Sequence, residues 1–247
     1  MDENQKQQDF ISTVSHELRT PLTSIRGFAQ TMLNSWDALD DDNKKKFIEI
    51  IEQQSNRLIN LVENLLSVNK LQSFKDDFIF KNANVSTLIE PIIQIVKHQY
   101  PQHEFQTDFN PKIPKIFVDV DKFQQIMTNL IENAAKYSNE GTKIIVKADF
   151  SPCPDYLSIK VIDEGISINQ EDYDKIFTKF SRLDNPLTRK VQGSGLGLYI
   201  TKVLTEKMNG KINVTGSDEG NVFEILIPTE NLENQAGKQF KGCENNK

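Results

Sequence analysis

The stretch "NLIENAAKYS", residues 129–138, closes a helical run over 121–136 and decides how the second half of the chain is read. Asn129 and Asn133 stand four residues apart and Lys136 follows three further on, so a helix places two carboxamides and an ammonium on one face. Tyr137 comes next. Carboxamide oxygens suit Mg²⁺, an ammonium suits phosphate oxygens, and an aromatic edge suits a base. Taken alone, amides on a helix face read equally well as solvated side chains.

Two segments further along add to this. "VIDEGISI", 161–168, is a strand ending in Asp163 and Gly165; an aspartate there can accept a hydrogen bond from an exocyclic amine, and the glycine lets the backbone turn closely. "GSGLGLYI", 193–200, is a glycine-rich loop entering a helix, which offers N–H groups and a positive dipole end to phosphates. It is neither the dinucleotide fingerprint, since Leu198 follows Gly197 and no strand immediately precedes it, nor a Walker A loop. Between them lies "IFTKFSRLDNPLTRKVQ", a polar stretch with two phenylalanines that reads as a lid flanked by glycines.

These segments sit in a region of mixed texture. From about Phe78, β-rich runs ("DDFIF", "EFQTDF", "KIFVDV", "TKIIVKADF", "YLSIKVID", "GKINVTG", "NVFEILIP") alternate with helical runs at 85–98, 121–136 and 195–208. That pattern predicts an α+β sandwich with helices on one face of a sheet. After Pro228 the chain is polar and unpatterned, and 231–247 reads as a disordered tail.

The first 74 residues are different. Phe10, Val14, Leu18, Leu22, Ile25, Phe28 and Met32 recur at spacings of four and three, one stripe on a helix. Asp40 to Asp42 supply a cap and first-turn carboxylates for a second helix carrying Phe47, Ile50, Ile51, Leu58, Leu61, Val62, Leu65 and Val68, ending near Leu71. The two make an αα-hairpin, which buries too little surface alone; pairing with a second copy gives a dimeric four-helix bundle. A monomeric hairpin folded against the second domain is the alternative. Domains are therefore expected at 1–74 and 75–230.

Within the first helix, "VSHELRTPLTSIRGF", 14–28, places His16 nearly opposite the stripe, on the solvent side. A neutral imidazole nitrogen is a competent nucleophile at neutral pH. Glu17 beside it can fix the tautomer or take up a proton, and Thr20, one turn on, can position a water. Pro21 removes the N–H that would bond the Glu17 carbonyl and favours a bend, or a kink that only adjusts bundle packing. His98 and His103 read as surface residues near a helix end and a loop.

Composition sets the limits. Apolar residues are 37% and charged residues 26% of the chain, a folded globular balance, and a net charge of −6 with no basic stripe argues against nucleic acid. No apolar run approaches the roughly 20 residues of a membrane span, and "MDENQKQQDF" is not a signal peptide. Cys153 and Cys243, far apart and without metal spacing, read as a reducing cytoplasmic setting with no disulfide framework.

Taken in order, these segments resemble the sensor histidine kinases of two-component systems, from about residue 8 to 228. "SHELRTP" is similar to the family's phosphoacceptor box, "NLIENAAKYS" to its N box, "IDEGI" and "GSGLGL" to its two glycine boxes, and "IFTKFSRLD" to its F box. The resemblance implies a GHKL-type ATP-binding fold, Mg²⁺ and ATP, and autophosphorylation of His16 followed by transfer to an aspartate of a response-regulator receiver domain. It gives Asn129 and Asn133 to Mg²⁺, with Asn133 the more direct ligand, and Lys136 and Tyr137 to phosphate and nucleoside. Asp163 and Gly165 would serve adenine, Gly193, Gly195 and Gly197 would admit the phosphates, and Arg182 would reach phosphate from the lid. "HELRT" also resembles members that dephosphorylate their regulator, with Thr20 orienting the water.

One position departs from the family: Ser167 stands where the first glycine box usually has its second glycine, and a left-handed backbone there would cost about 1–3 kcal/mol. A dimerising scaffold without kinase chemistry, and an ATPase acting on water or a serine, are the rival readings. A sensory region would lie upstream, and membrane attachment would come only from such a segment.

Overall fold

The computed structural model describes residues 3–72, 78–181 and 194–230. The chain divides into two compact units, Met1–Gln72 and Ser73–Lys247.

The first unit is the helical hairpin. Helix α1, Glu3–Ser35, runs on through Pro21, and α2 spans Asp41–Gln72. The turn between them is closed by the N–H groups of Ala38 and Leu39 donating to the Ser35 carbonyl. Asp40 then caps α2: its carboxylate accepts from the Asn43 N–H at 2.7 Å, satisfying a first-turn donor that would otherwise lack a partner. Near the loop the helices meet through Phe28 and Phe47, with ring centroids 5.1 Å apart. Further along, Leu61, Val68 and Leu71 are buried on α2.

The expected stripe is only partly covered. Met32 is buried, but Leu22, on the same stripe, is 52% exposed in the single chain. One antiparallel partner covers a single seam of each helix. A second apolar face stays open, carrying Ile11, Leu22 and Leu33 on α1 and Ile48, Ile59, Val62 and Leu66 on α2.

The second unit is the α+β sandwich. A five-stranded sheet runs in the order β2-β4-β5-β7-β6, with β2 Glu104–Phe109, β4 Lys143–Phe150, β5 Tyr156–Asp163, β6 Lys211–Ser217 and β7 Gly220–Pro228. Only the β2–β4 pair is parallel. A small antiparallel pair, β1 Phe80–Ala83 and β3 Ile116–Asp119, lies beside it.

Three helices pack on one side: α3 Val85–Gln99, α4 Val120–Tyr137 and α5 Gly197–Lys207, with α4 touching both others. Alternation along the strands sends Ile144, Val146 and Ala148 of β4, and Leu157, Ile159 and Val161 of β5, into the core against Ile126, Met127, Leu130 and Ile131 of α4. The opposite face is a charged lattice, with Lys147 paired to Asp108 at 2.9 Å and Lys160 to Glu224 at 3.4 Å. This one-sided burial is how an antiparallel sheet meets water on its other face.

One sequence expectation is corrected here. His103 is buried, 5% exposed, packed edge-on against Phe105 with Nδ1 3.4 Å from the Thr142 hydroxyl. The loop entering β2 folds back over β4, where Gly141 N–H donates to the Gln102 carbonyl, and takes the ring inside. Cys153 is also buried; the expectation of no disulfide framework involves Cys243 and so falls outside the described residues. Cys243 and the tail at 231–247 lie outside the described residues.

Candidate functional site

In the hairpin unit His16 is exposed on α1, on the solvent side as the helical spacing requires. Glu17 is half-buried and faces α2, where Arg57 Nη2 lies 3.2 Å from its Oε2. One residue along a helix is about 100° around it, so neighbours in sequence serve different neighbours in space. Thr20 is exposed, and its hydroxyl donates to the His16 carbonyl at 3.3 Å.

In the sandwich, α4 is the spine. Asp119 caps it by accepting from the Lys122 N–H at 3.1 Å, and its buried stripe (Phe123, Ile126, Met127, Leu130, Ile131, Ala134) fixes the rotation that presents Asn129, Asn133 and Lys136 together. Asn129 donates through Nδ2 to Thr201 on α5 at 2.8 Å, and a Cβ on Gly197 would collide with its Oδ1. That carboxamide locks the start of α5 against α4. Asn133 is partly exposed and makes no side-chain hydrogen bond among the described residues, so its carboxamide is the one open to a ligand. Lys136 pairs with Glu132 at 2.9 Å. Burial disfavours the Lys136 charge, but Glu132 beside it outweighs burial and the ammonium is held above the usual lysine range.

The end of α4 is stitched to the end of β5. Ser138 bridges to Gly165, and the Ile166 N–H donates to the Tyr137 carbonyl at 3.2 Å. Gly165 is required by proximity: a Cβ there would stand 2.7 Å from both the Tyr137 carbonyl oxygen and Asp163 Oδ1. The Ser138 hydroxyl, between these elements, is buried with no hydrogen-bond partner among the described residues.

Asp163 is 3% exposed. Burial raises its carboxyl above the ordinary aspartate range, opposed in part by bonds from Asn221 and Gly165. Asn221 Nδ2 donates to Oδ1 at 3.0 Å and the Gly165 N–H donates to the same atom at 2.8 Å. Both of these bonds fall on Oδ1, and the Asn221 backbone N–H also donates to the carboxylate. Asn221 escaped the sequence reading, as did Thr201 and Glu132; no periodicity marks an amide at the start of a closing strand. It also donates to the Ile166 carbonyl at 3.0 Å and accepts from the Ile168 N–H at 2.8 Å, setting the shape of the loop after β5.

At the glycine-rich loop, Gly195 has φ +67°, and a Cβ there would fall 2.7 Å from the carbonyl carbon of Phe180, itself left-handed at φ 59°. The loop and the end of the F box therefore touch through bare backbone. Lys179 lies 5.2 Å above the Tyr199 ring and is held below the usual lysine range by burial. Arg182 and Gly193 lie outside the described residues. Ser167 is exposed and outside the left-handed region, so the strain anticipated at that position is absent.

A nucleotide and Mg²⁺ fit this arrangement. Asp163 offers a buried acceptor, Asn133 a carboxamide oxygen without a side-chain partner among the described residues, and Lys136 a cation, while the missing Cβ atoms of Gly195 and Gly197 let the loop close on Phe180 and Asn129. Among the described residues no group of three or more His, Cys, Asp or Glu could hold a metal, so a divalent ion here would take amide oxygens, water and ligand phosphates.

Residues 6–74 match the family model described as "His Kinase A (phospho-acceptor) domain", and residues 118–231 that described as "Histidine kinase-, DNA gyrase B-, and HSP90-like ATPase". The sensor histidine kinase WalK of Bacillus subtilis is 34% identical over 211 residues, covering 85% of this chain and 34% of that protein; the chain spans about a third of that relative's length. Acinetobacter baumannii histidine kinase AdeS has a similar fold, with TM-score 0.67 and 22% identity over 87% of this chain and 98% of that one. So has histidine kinase ThkA, solved in complex with response regulator protein TrrA: TM-score 0.70, 24% identity, 90% of this chain and 61% of that one. No described helix is long and apolar enough to cross a membrane. With a phosphoacceptor domain over the hairpin and an ATPase domain over the sandwich, the chain belongs to the sensor histidine kinases of two-component systems.

Proposed function

We propose that the chain is an ATP-dependent protein-histidine kinase: it phosphorylates His16 and passes the phosphoryl group to an aspartate of a response-regulator receiver domain. The observation that carries this reading is the convergence, within one unit, of Asp163, the open Asn133–Lys136 face and the Gly195–Gly197 backbone, with an exposed His16 on the other unit. The resemblance of the chain to kinases that include one solved with a response regulator supports it.

In this reading Asp163 accepts from the adenine amine, and Tyr137 contacts the nucleoside. Lys136 binds phosphate oxygens, as do the N–H groups at the start of α5 and Arg182 from the lid. Asn133 would hold Mg²⁺, which would supply charge neutralisation at the phosphates, while Asn129 keeps the start of α5 in place through Thr201. The imidazole nitrogen of His16 forms the new N–P bond as the bond from the γ-phosphorus to the bridging oxygen breaks, and ADP leaves. The proton that the imidazole gives up passes to solvent at this exposed position, and Glu17, held by Arg57, fixes the turn of α1 that presents His16. Thr20 orients a water for the reverse task, hydrolysis of the regulator's acyl phosphate.

The exposed apolar face of α1 and α2 supports a homodimer through the hairpin, completing a four-helix bundle. We place the chain in the cytoplasm, where ATP and receiver domains are found. The test is incorporation of label from γ-labelled Mg-ATP into the chain and into Asp163→Asn and Lys136→Met. Incorporation that both variants abolish supports the reading, and incorporation indifferent to both overturns it.

A further inference from the structure

The face of α4 that presents Asn129, Asn133 and Lys136 carries a fourth side chain, Glu132, three residues after Asn129 and four before Lys136. Its Oε2 meets the Lys136 ammonium at 2.9 Å, with the two side chains 29% and 31% exposed. Tyr100, which follows α3, brings a half-buried phenol close enough to feel both charges. Tyr137, the next residue on α4, is close enough to favour the Lys136 charge. An exposed i,i+4 pair contributes little. This one lies on the face that has to receive phosphate, and two-thirds of each side chain is covered.

We infer that Glu132 is a positioning residue for phosphate binding: with Tyr100 beside it, its carboxylate holds the Lys136 ammonium in place on the Asn133 side of α4. The inference rests on the nucleotide reading above. A lysine stem has four rotatable bonds, and fixing it on ligand binding costs conformational entropy that a preformed contact removes in advance. The ammonium has three N–H donors; one engaged by Glu132 leaves two for phosphate oxygens, so the carboxylate orients the cation without occupying it. The order also suits the helix, with glutamate four residues N-terminal to lysine and the lysine in the last turn, near the negative end of the dipole.

The experiment is calorimetric binding of Mg-ATP, and separately of adenosine, to the full chain and to Glu132→Ala, Lys136→Met and the double variant. Glu132→Ala is expected to weaken Mg-ATP binding about tenfold, the scale of one charge-assisted contact, and to leave adenosine binding unchanged. The double variant is expected to be no weaker than Lys136→Met alone, because the two residues act as one unit. Adenosine binding in the same variant reports that the site is still folded. Equal loss of adenosine and Mg-ATP, additive losses in the double variant, unchanged Mg-ATP binding or tighter Mg-ATP binding would each overturn the inference while leaving the nucleotide reading standing. If the unmodified chain binds neither ligand, the nucleotide reading fails and the inference fails with it.

Discussion

Asn221 donates to Asp163 at 3.0 Å across the β5–β7 pair, and this bond joins the closing strand of the sandwich to the carboxylate proposed to accept from adenine. The same side chain holds Ile166 and Ile168, so one amide sets both the carboxylate and the loop behind it. Replacing it by alanine removes three hydrogen bonds, the one to Asp163 buried and the other two partly buried. Asn221→Ala is expected to lower stability by about 2–3 kcal/mol and to weaken adenosine binding, read by denaturant melts and calorimetry on one preparation.

Acidification should act through Asp163. Burial raises its carboxyl, so the folded protein takes up this proton at a higher pH than the unfolded chain. The stability it contributes is therefore greatest in acid and is lost as pH rises from the ordinary aspartate range through the folded value. Adenine recognition runs the other way, because only the ionised form accepts on both oxygens. Nucleotide affinity is expected to fall on acidification while an ordinary aspartate would still be charged, and Asp163→Asn should bind weakly with that step gone.

Gly197 separates space from conformational freedom. Its φ is not left-handed, yet a Cβ would collide with Asn129 Oδ1. Gly197→Ala is expected to displace the Asn129 side chain, break its bond to Thr201 and reduce Mg-ATP binding at least tenfold with the circular dichroism spectrum retained. Binding equal to the unmodified chain would show that α5 can slide to accommodate a methyl.

The Glu17–Arg57 pair ties the neighbour of His16 to α2. Both side chains are about four-fifths covered, between the exposed pairs that contribute little and the buried ones whose disruption is severe. Arg57→Ala is expected to cost about 1–2 kcal/mol in thermal or chemical unfolding of the hairpin, and to slow phosphorylation of His16 by releasing Glu17.

The open apolar face of the hairpin makes a separate claim. Leu22→Glu and Leu66→Glu place charges on that face without touching the covered seam. Light scattering should show a dimer for the unmodified chain and a monomer for the variants; a monomer throughout would remove the four-helix bundle.

Much of this was legible in the sequence because periodicity and spacing report local geometry. Strand β5 at Tyr156–Asp163 and β2 at Glu104–Phe109 fall where the alternating runs placed them, and the Asp40 cap follows from an acidic cluster before a helical stripe. What depends on distant partners was not legible. His103 lies inside because a loop folds over β4, and Leu22 lies outside because one helix covers only one seam of another. Asn221 and Thr201 acquire roles only once β7 and α5 are docked. Gly165 is needed because the Tyr137 carbonyl and the Asp163 carboxylate approach it closely, and the absence of strain at Ser167 depends on a φ that no spacing rule reports.

The central claim is that His16 takes the phosphoryl group. The most direct measurement is the stability of label incorporated from γ-labelled Mg-ATP, in the unmodified chain and in His16→Gln, after acid and after alkali. A phosphohistidine gives label that acid removes and alkali leaves, and the His16→Gln chain should carry none. Acid-stable label, or label that persists in His16→Gln, would contradict the account.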